Sequence, residues 1–318
     1  MNVRNVVAIV QMTTDPLSDV LQLLKPRAYG FRGLDIGGEW SLCLPPQPVV
    51  RCYALRSGAC GLWLDGFAPV QLVAGDFVLL PQGQGLVMGS RPDAPRVDLQ
   101  RFFTTASGDT AIFDKAGDCS GLGGYFEMAG IAADQLLQAL PPVVRLDVGV
   151  GVGVGAGAGA SGLVWLVDRL MAELRTPRPG GRLMAEHLSQ TLLVEALRLH
   201  LATSDQRTGT WLAALADPQL ARAIEAMHAD PGRHWTLDAL AKLSGLSRSG
   251  FAQRFSDACG EPAITYLARW RMMLASERIA RGVPTAIVAR ELGYGSESAF
   301  GAAFRRITGM SPGRLRSA

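Results

Sequence analysis

Between Ser247 and Ala258 the chain carries Ser249, Gln253 and Ser256, with Arg248 and Arg254 beside them. Between Ser296 and Ile307 it carries Ser298, Arg305 and Arg306. These groups suit hydrogen-bond recognition rather than covalent chemistry. A glutamine amide pairs bidentately with the edge of adenine, and a serine hydroxyl serves any base edge or a phosphate. Guanidinium groups hold phosphates and so position a protein without reading sequence. Helical residues advance about 100° each. Phe251, Phe255 and Ala258 then share a core side, and Ser249, Ala252, Gln253 and Ser256 share the opposite one. In the second segment Phe300, Phe304 and Ile307 are core, leaving Ser298, Gly301, Ala302 and Arg305 outward. Gln253 is the strongest candidate base reader, and Ser249 and Ser298 can reach either base or phosphate. Arg248, Arg254, Arg305 and Arg306 are expected at phosphates. Glu297 lies in a first helical turn, where the macrodipole favours an acid, and is assigned no base.

The two segments belong to a repeat. Ala241 and Gly245 recur 48 residues later as Ala289 and Gly293. Phe251, Phe255 and Gly260 recur 49 residues later as Phe300, Phe304 and Gly309. Each copy reads as helix, glycine turn, helix, with Thr236, Ser247 and Ser296 as N-caps. The expected recognition helices cover about 247–258 and 296–307. Between the copies, Ala263–Arg281 reads as a helix with Leu267, Trp270, Met273, Leu274 and Ile279 inward. Its length of about 28 Å approaches the roughly 34 Å repeat of duplex DNA, so one chain can place two helices in successive major grooves. The second helix offers only Gly301, Ala302 and Ala303 centrally, so the first unit is expected to carry most of the discrimination.

At Ala289, Gly293, Tyr294, Ser296, Phe300, Phe304, Gly309, Ser311 and Pro312 the chain resembles the AraC/XylS family of bacterial transcription regulators. The stretch Val73–Pro81, with Cys52–Gly58, resembles the cupin-type sensor domain found on one branch of that family. The resemblance implies a sequence-specific regulator, most often an activator, that binds double-stranded DNA and, as an activator, RNA polymerase. It also implies a small-molecule effector or an oxidant acting on the N-terminal domain.

Composition agrees with a two-domain globular chain. It has 318 residues, 48% hydrophobic and 19% charged. From Trp211 onward 14 Lys/Arg face 9 Asp/Glu, a net +5 within an overall +3, which suits a polyanionic partner. No apolar run approaches the roughly eighteen residues that span a membrane. Met1–Gln11 is too short for a secretory leader, and Met12 reads as an equally good start, so a cytoplasmic protein is expected. A cupin enzyme would hold a metal with histidines, but all four (His187, His200, His228, His234) lie beyond residue 180. No cofactor, metal or catalytic residue is therefore expected. The alternative is a cupin-type enzyme, or a non-enzymatic ligand-binding protein, with an appended DNA-binding module. A purely structural DNA-binding protein would need no sensor-like barrel.

The expected fold is α+β and multidomain: an N-terminal cupin-like β-barrel with a helical extension, then an all-α tandem helix-turn-helix domain. Its parts are a sensor domain over 12–145, a Gly/Ala/Val-rich linker over 146–162, a helical pair over 163–204 and the DNA-binding domain over 211–318. Asp15–Lys25 reads as a short capped helix, with short strands punctuated by glycine and proline from Phe31 to Met88 and again over Phe102–Phe126. Alternating glycine over 149–162 meets nucleotide-loop spacing by chance and reads as a flexible linker. The pair over 163–202 is a candidate homodimer seam. Five cysteines without Cys-x-x-Cys spacing suggest free thiols. Cys43, Cys52, Cys60 and Cys119 are the candidate redox-sensing thiols, with Cys52 and Cys60 expected to face each other across a hairpin, and Cys259 is core.

Overall fold

Alternating apolar residues in the first half of the chain and helical stripes in the second dictate different architectures. The computed structural model describes residues 15–24, 26–98, 106–107, 110–113, 117–147, 158–203 and 210–316. Helix α1 (Pro16–Leu24) comes first, capped by Asp15, whose Oδ1 accepts from the Ser18 amide at 2.9 Å. Ten strands follow: β1 (Arg27–Ile36), β2 (Ser41–Leu44), β3 (Val50–Ser57), β4 (Ala59–Leu64), β5 (Val70–Val73), β6 (Asp76–Leu80), β7 (Leu86–Gly89), β8 (Ala106–Ser107), β9 (Thr110–Phe113) and β10 (Cys119–Glu127). Next are α2 (Ile131–Gln138), β11 (Val144–Asp147), α3 (Ala158–Arg175) and α4 (Gly181–Thr203). The C-terminal helices are α5 (Trp211–Leu215), α6 (Pro218–Ala229), α7 (Leu237–Ser244), α8 (Arg248–Cys259), α9 (Ala263–Ala280), α10 (Thr285–Glu291), α11 (Glu297–Thr308) and α12 (Pro312–Arg316).

One unit comprises the described residues within 26–128 and 140–204. Its strands form a seven-stranded sheet, in the order β11-β6-β3-β10-β1-β9-β8, and a four-stranded sheet, β2-β7-β4-β5. Among the described strands β1 and β9 pair in parallel, and the other strand pairs are antiparallel. Period-two alternation turns Leu34, Ile36, Tyr53 and Leu55 of the long sheet toward Leu42, Leu62, Leu64, Leu72 and Met88 of the short one. This is the expected β-rich, cupin-like domain. Asp76, the first residue of β6, is buried at 2% exposure. It accepts from the Val73 amide at 2.8 Å and from Arg145 Nε and Nη2 at 2.9 and 2.8 Å, which pins β11 beside β6. Sequence patterning had missed β11, a four-residue edge strand. In α3 and α4, Leu163, Leu166, Val167, Leu170, Leu188, Leu192 and Leu197 are buried. Helix α3 begins inside the expected linker, at Ala158. The glycine alternation up to 157, Phe102, Phe103 and most of the polar stretch before Thr210 lie outside the described residues.

The other unit comprises the described residues within 1–25, 129–139 and 205–318. Thus α1 and α2, expected within the sensor domain, group by packing with the C-terminal helices. His228 of α6 shows why. Its Nδ1 lies 3.0 Å from Asp19 Oδ2 of α1, and its Nε2 lies 2.7 Å from the Tyr266 hydroxyl. Its ring stacks on Trp270 with centroids 3.8 Å apart and an interplanar angle of 3°.

Burial lowers the proton affinity of His228 below the ordinary imidazole value, with Asp19 opposing in part. The folded protein thus binds this proton less readily than the unfolded chain. The stability contributed by the neutral ring is present above the unfolded value of about 6.5 and is lost as pH falls through the lower folded value. Urea unfolding midpoints of the wild type should therefore drop on going from about pH 7.5 to about pH 5.5, and His228→Gln should flatten that dependence.

Candidate nucleic-acid interface

Each helix-turn-helix is built by the same local rules. Thr236 caps α7, its hydroxyl accepting from the Ala239 amide at 3.2 Å. Gly245 then adopts φ 65°, and the Leu246 amide donates to the Ala241 carbonyl at 3.0 Å. In the second copy Gly293 adopts φ 78°, and the Tyr294 amide donates to Ala289 at 2.9 Å. Both are left-handed glycine closures of a helix end. A Cβ on Gly293 would also meet the Gly232 carbonyl oxygen at 2.2 Å, so the second turn excludes side chains twice over. The next helices start alike: Ser247 accepts from the Gly250 amide at 3.1 Å, and Ser296 from the Ala299 amide at 3.1 Å.

The buried faces repeat as well. Phe251 and Phe255 are fully buried with ring centroids 5.5 Å apart, and Phe300 and Phe304 are fully buried at 5.7 Å. Helix α9 serves both pairs. Tyr266 meets Phe255 edge-on at 5.8 Å, while Met272, Ala275 and Ile279 pack with Phe300 and Phe304. Leu274 is only partly buried, and Leu243, expected inward on α7, is 45% exposed.

The opposite faces carry the predicted contact residues. Ser249, Gln253, Ser298 and Ala302 are exposed, and Ala252, Ser256 and Gly301 are half-buried. Gln253 is not isolated: its Nε2 donates to Asp257 Oδ1 at 2.8 Å, one turn on. Asp257 escaped the sequence reading, which assigned no role to acids on this face. Adenine pairing requires the amide to exchange Asp257 for a base edge. Arg254, expected at a phosphate, is engaged within the protein. Its Nε donates to Asp217 Oδ2 at 2.7 Å and its Nη1 to Gln219 Oε1 at 2.8 Å. Asp217 also caps α6 through the Gln219 amide at 2.9 Å, so this ion pair ties the recognition helix to α6. The capping role was legible from Asp217-Pro218, but the partner on α8 was not.

Arg248 lies 3.8 Å from Asp238, a loose exposed pair. Arg305 and Arg306, both exposed, have no ion-pair partner among the described residues, and the same holds for Arg290 and Arg314. Arg222 of α6 and Lys242 of α7, both exposed, likewise have no ion-pair partner among the described residues, so unpaired positive charge lies on both units, while the first bears the longer polar side chains.

The candidate thiols occupy three settings. Cys43 is exposed. Cys52 is buried on the face of β3 opposite Tyr53, and burial pushes its thiol up. Cys52 and Cys60 do not face each other: Cys52 pairs with Leu79 and Gly124 in the long sheet, and Cys60 with Leu72 in the short one. Cys60 instead shares the core between the two sheets with Cys119, and their interaction lowers the proton affinity of Cys119 and raises that of Cys60. Cys259 is buried, as expected. Among the described residues no group of three or more His, Cys, Asp or Glu is placed to hold a metal ion. No described helix is long and apolar enough to cross a membrane.

A β-rich domain followed by two repeated helix-turn-helix units defines a DNA-binding transcription regulator. The cupin family model matches residues 15–202, and the helix-turn-helix domain model matches residues 240–318. An AraC-like transcription regulator of Streptomyces lividans is 38% identical over 305 residues, covering 95% of this chain and 98% of that one. One from Streptomyces antibioticus is 37% identical over 304 residues, with the same coverage. RclR of Escherichia coli, an RCS-specific HTH-type transcriptional activator, is 27% identical over 305 residues, covering 95% of this chain and 97% of that one. The chain belongs to the AraC-type family of transcription regulators, in the branch with an N-terminal cupin domain.

Arg254→Ala removes an internal tie, whereas Arg305→Ala removes an exposed charge. The first should lower stability by about 1 kcal/mol, given its half-exposed setting, and the second should leave the urea unfolding midpoint unchanged.

Proposed function

We propose that this chain is a cytoplasmic, signal-responsive activator that enters successive major grooves with α8 and α11. The observation that carries the reading is the repeat of turn, cap and aromatic core about one shared helix, α9, with polar side chains outward on α8 and unpaired arginines around α11. Gln253, with Ser249 and Ser256, discriminates bases, while Arg305 and Arg306 supply phosphate affinity and Ser298 serves either. Ala252, Gly301 and Ala302 let the backbone approach closely. Arg248 is the phosphate contact of the first unit. Activation implies an encounter with RNA polymerase, in keeping with the activator named RclR. A homodimer through 163–202 is part of the proposal, supported by Trp165, which is 61% exposed on α3. The enzyme reading is weaker, because no histidine lies in the barrel sequence.

Binding of the full chain to its own upstream DNA, measured as a salt series, tests this. Gln253→Ala should relax sequence preference by about 1–3 kcal/mol at one position. The Arg305→Ala, Arg306→Ala double variant should weaken binding to all sequences alike and reduce the salt slope by about 2. Unchanged specificity in the first variant, or an unchanged slope in the second, would move the interface elsewhere.

A second reading of the signal rests on Cys60 and Cys119, which share the inter-sheet core without Cys52. A two-electron oxidant such as a hypohalous acid would convert Cys119 to a sulfenyl species. The Cys60 thiol would then attack the Cys119 sulfur, forming the disulfide as the oxygen leaves as water, or the halide as hydrogen halide, with the Cys60 proton. RclR, the RCS-specific relative, makes an oxidant a reasonable signal class. Peptide mapping after hypochlorite treatment should find Cys60 joined to Cys119 and Cys52 still reduced; a Cys52–Cys60 link, or intact thiols throughout, would end this reading.

A further inference from the structure

The barrel domain contains a cavity of about 430 Å³ between β1, β2, β3, β7 and β10. That volume is in the ordinary range for small-molecule sites. At about 30 Å³ per water-sized group it suits a ligand of the order of a dozen non-hydrogen atoms. Its walls are mostly apolar, including Leu34, Leu42, Leu44 and Met88. Space is left by glycine on the inward row of β10. Gly123 pairs with Arg32 on one side and Tyr53 on the other, and a Cβ there would press on the Tyr53 ring at 3.2 Å.

Into this apolar space the sequence puts an arginine. Arg51 lies on the cavity-facing row of β3, two residues before Tyr53, and is only 4% exposed. Its guanidinium donates to the Gln84 carbonyl at 3.1 Å and to the Pro45 carbonyl. A guanidinium has five N–H donors, and these bonds use two of them. No carboxylate among the described residues forms an ion pair with Arg51. A buried cation needs an opposite charge, and two neutral carbonyls do not supply one. They do fix the guanidinium, because they come from two separate loops, β2–β3 and β6–β7. A held, planar, half-used guanidinium is a preorganised carboxylate receptor. Tyr53 stands beside it, its hydroxyl kept protonated by burial and so available as a donor.

We propose that this cavity binds a small organic carboxylate with an apolar body, its carboxylate on Arg51 and its body against Leu42, Leu44 and Met88. The assignment rests on the reading of the barrel as the signal-receiving domain and names the chemistry of that signal. It is independent of the thiols: Cys119 begins β10, and the cavity lies toward the other end of that strand, at Gly123–Tyr125.

Calorimetric titration of the full-length protein with octanoate and phenylacetate, beside octanamide and phenylacetamide, tests it. At least one acid should bind at least tenfold more tightly than its amide. Arg51→Met should abolish that preference. Leu44→Trp, which fills the cavity without touching Arg51, should weaken the acid at least tenfold. If Arg51→Met fails to fold, the acid-to-amide ratio on wild type and the Leu44→Trp titration still decide. Equal binding of acid and amide, no binding of either acid up to millimolar concentration, or wild-type binding by a folded Arg51→Met or by Leu44→Trp would overturn the assignment. DNA binding by the same preparation separates the two readings. DNA binding without acid binding sinks the carboxylate site alone, and acid binding without DNA binding sinks the regulator reading alone.

Discussion

Burial of two aromatic pairs against one helix is the constraint on which the DNA-binding half depends. Phe251 with Phe255, and Phe300 with Phe304, lose all solvent exposure only if α8 and α11 each turn one face to α9. Once that face is fixed, helical geometry leaves no choice about which residues point outward. The outward polar and arginine side chains of α8 and α11 are thus positioned by buried phenylalanines. The rest of the domain serves the same end. Left-handed glycines at 245 and 293 turn the chain back, and serine caps at 247 and 296 satisfy the amides that each turn exposes.

Charge in this half divides into structural and available groups. Arg254, Arg269, Arg278 and Arg281 are paired with carboxylates of the same unit. Arg271 is held by the carbonyls of Pro231 and Arg233. The net +5 of the C-terminal stretch therefore divides unevenly between groups tied within the unit and exposed cations such as Arg222, Lys242, Arg305 and Arg306. His228 joins this half to the start of the described chain, because Asp19 of α1 completes its hydrogen bonding. Helix α1 ends at Leu24 and β1 begins at Arg27, while α2 lies between β10 and β11. The covalent chain thus passes directly from barrel strands into helices that pack with the DNA-binding unit.

The barrel half combines two opposite solutions to burying charge. Asp76 is matched by a bidentate arginine and a backbone amide, and the result is a closed sheet edge. Arg51 lines the cavity and donates to two backbone carbonyls. The first arrangement pairs opposite charges; the second pairs a cation with neutral acceptors.

Much of this protein was legible in its sequence, because the determining forces are local and periodic. Phenylalanines at helical spacing, glycines where a Cβ is excluded and serines at helix starts act within a few residues, and the repeat doubled the signal. The N-terminal strands announced themselves through alternation and glycine turns. Tertiary structure alone decided which distant groups meet. Cys60 shares the inter-sheet core with Cys119 and not with Cys52, because β3 and β4, adjacent in sequence, belong to different sheets. Arg254 is drawn to Asp217, and His228 to Asp19, across 37 and 209 residues. Edge strand β11 is too short to show a pattern, and it exists because Asp76 and β6 await a partner. The grouping of α1 with the C-terminal helices follows the burial of its apolar stripe, not its place in the chain. Pairings of this kind depend on where the backbone carries each side chain, which periodicity along the chain does not encode.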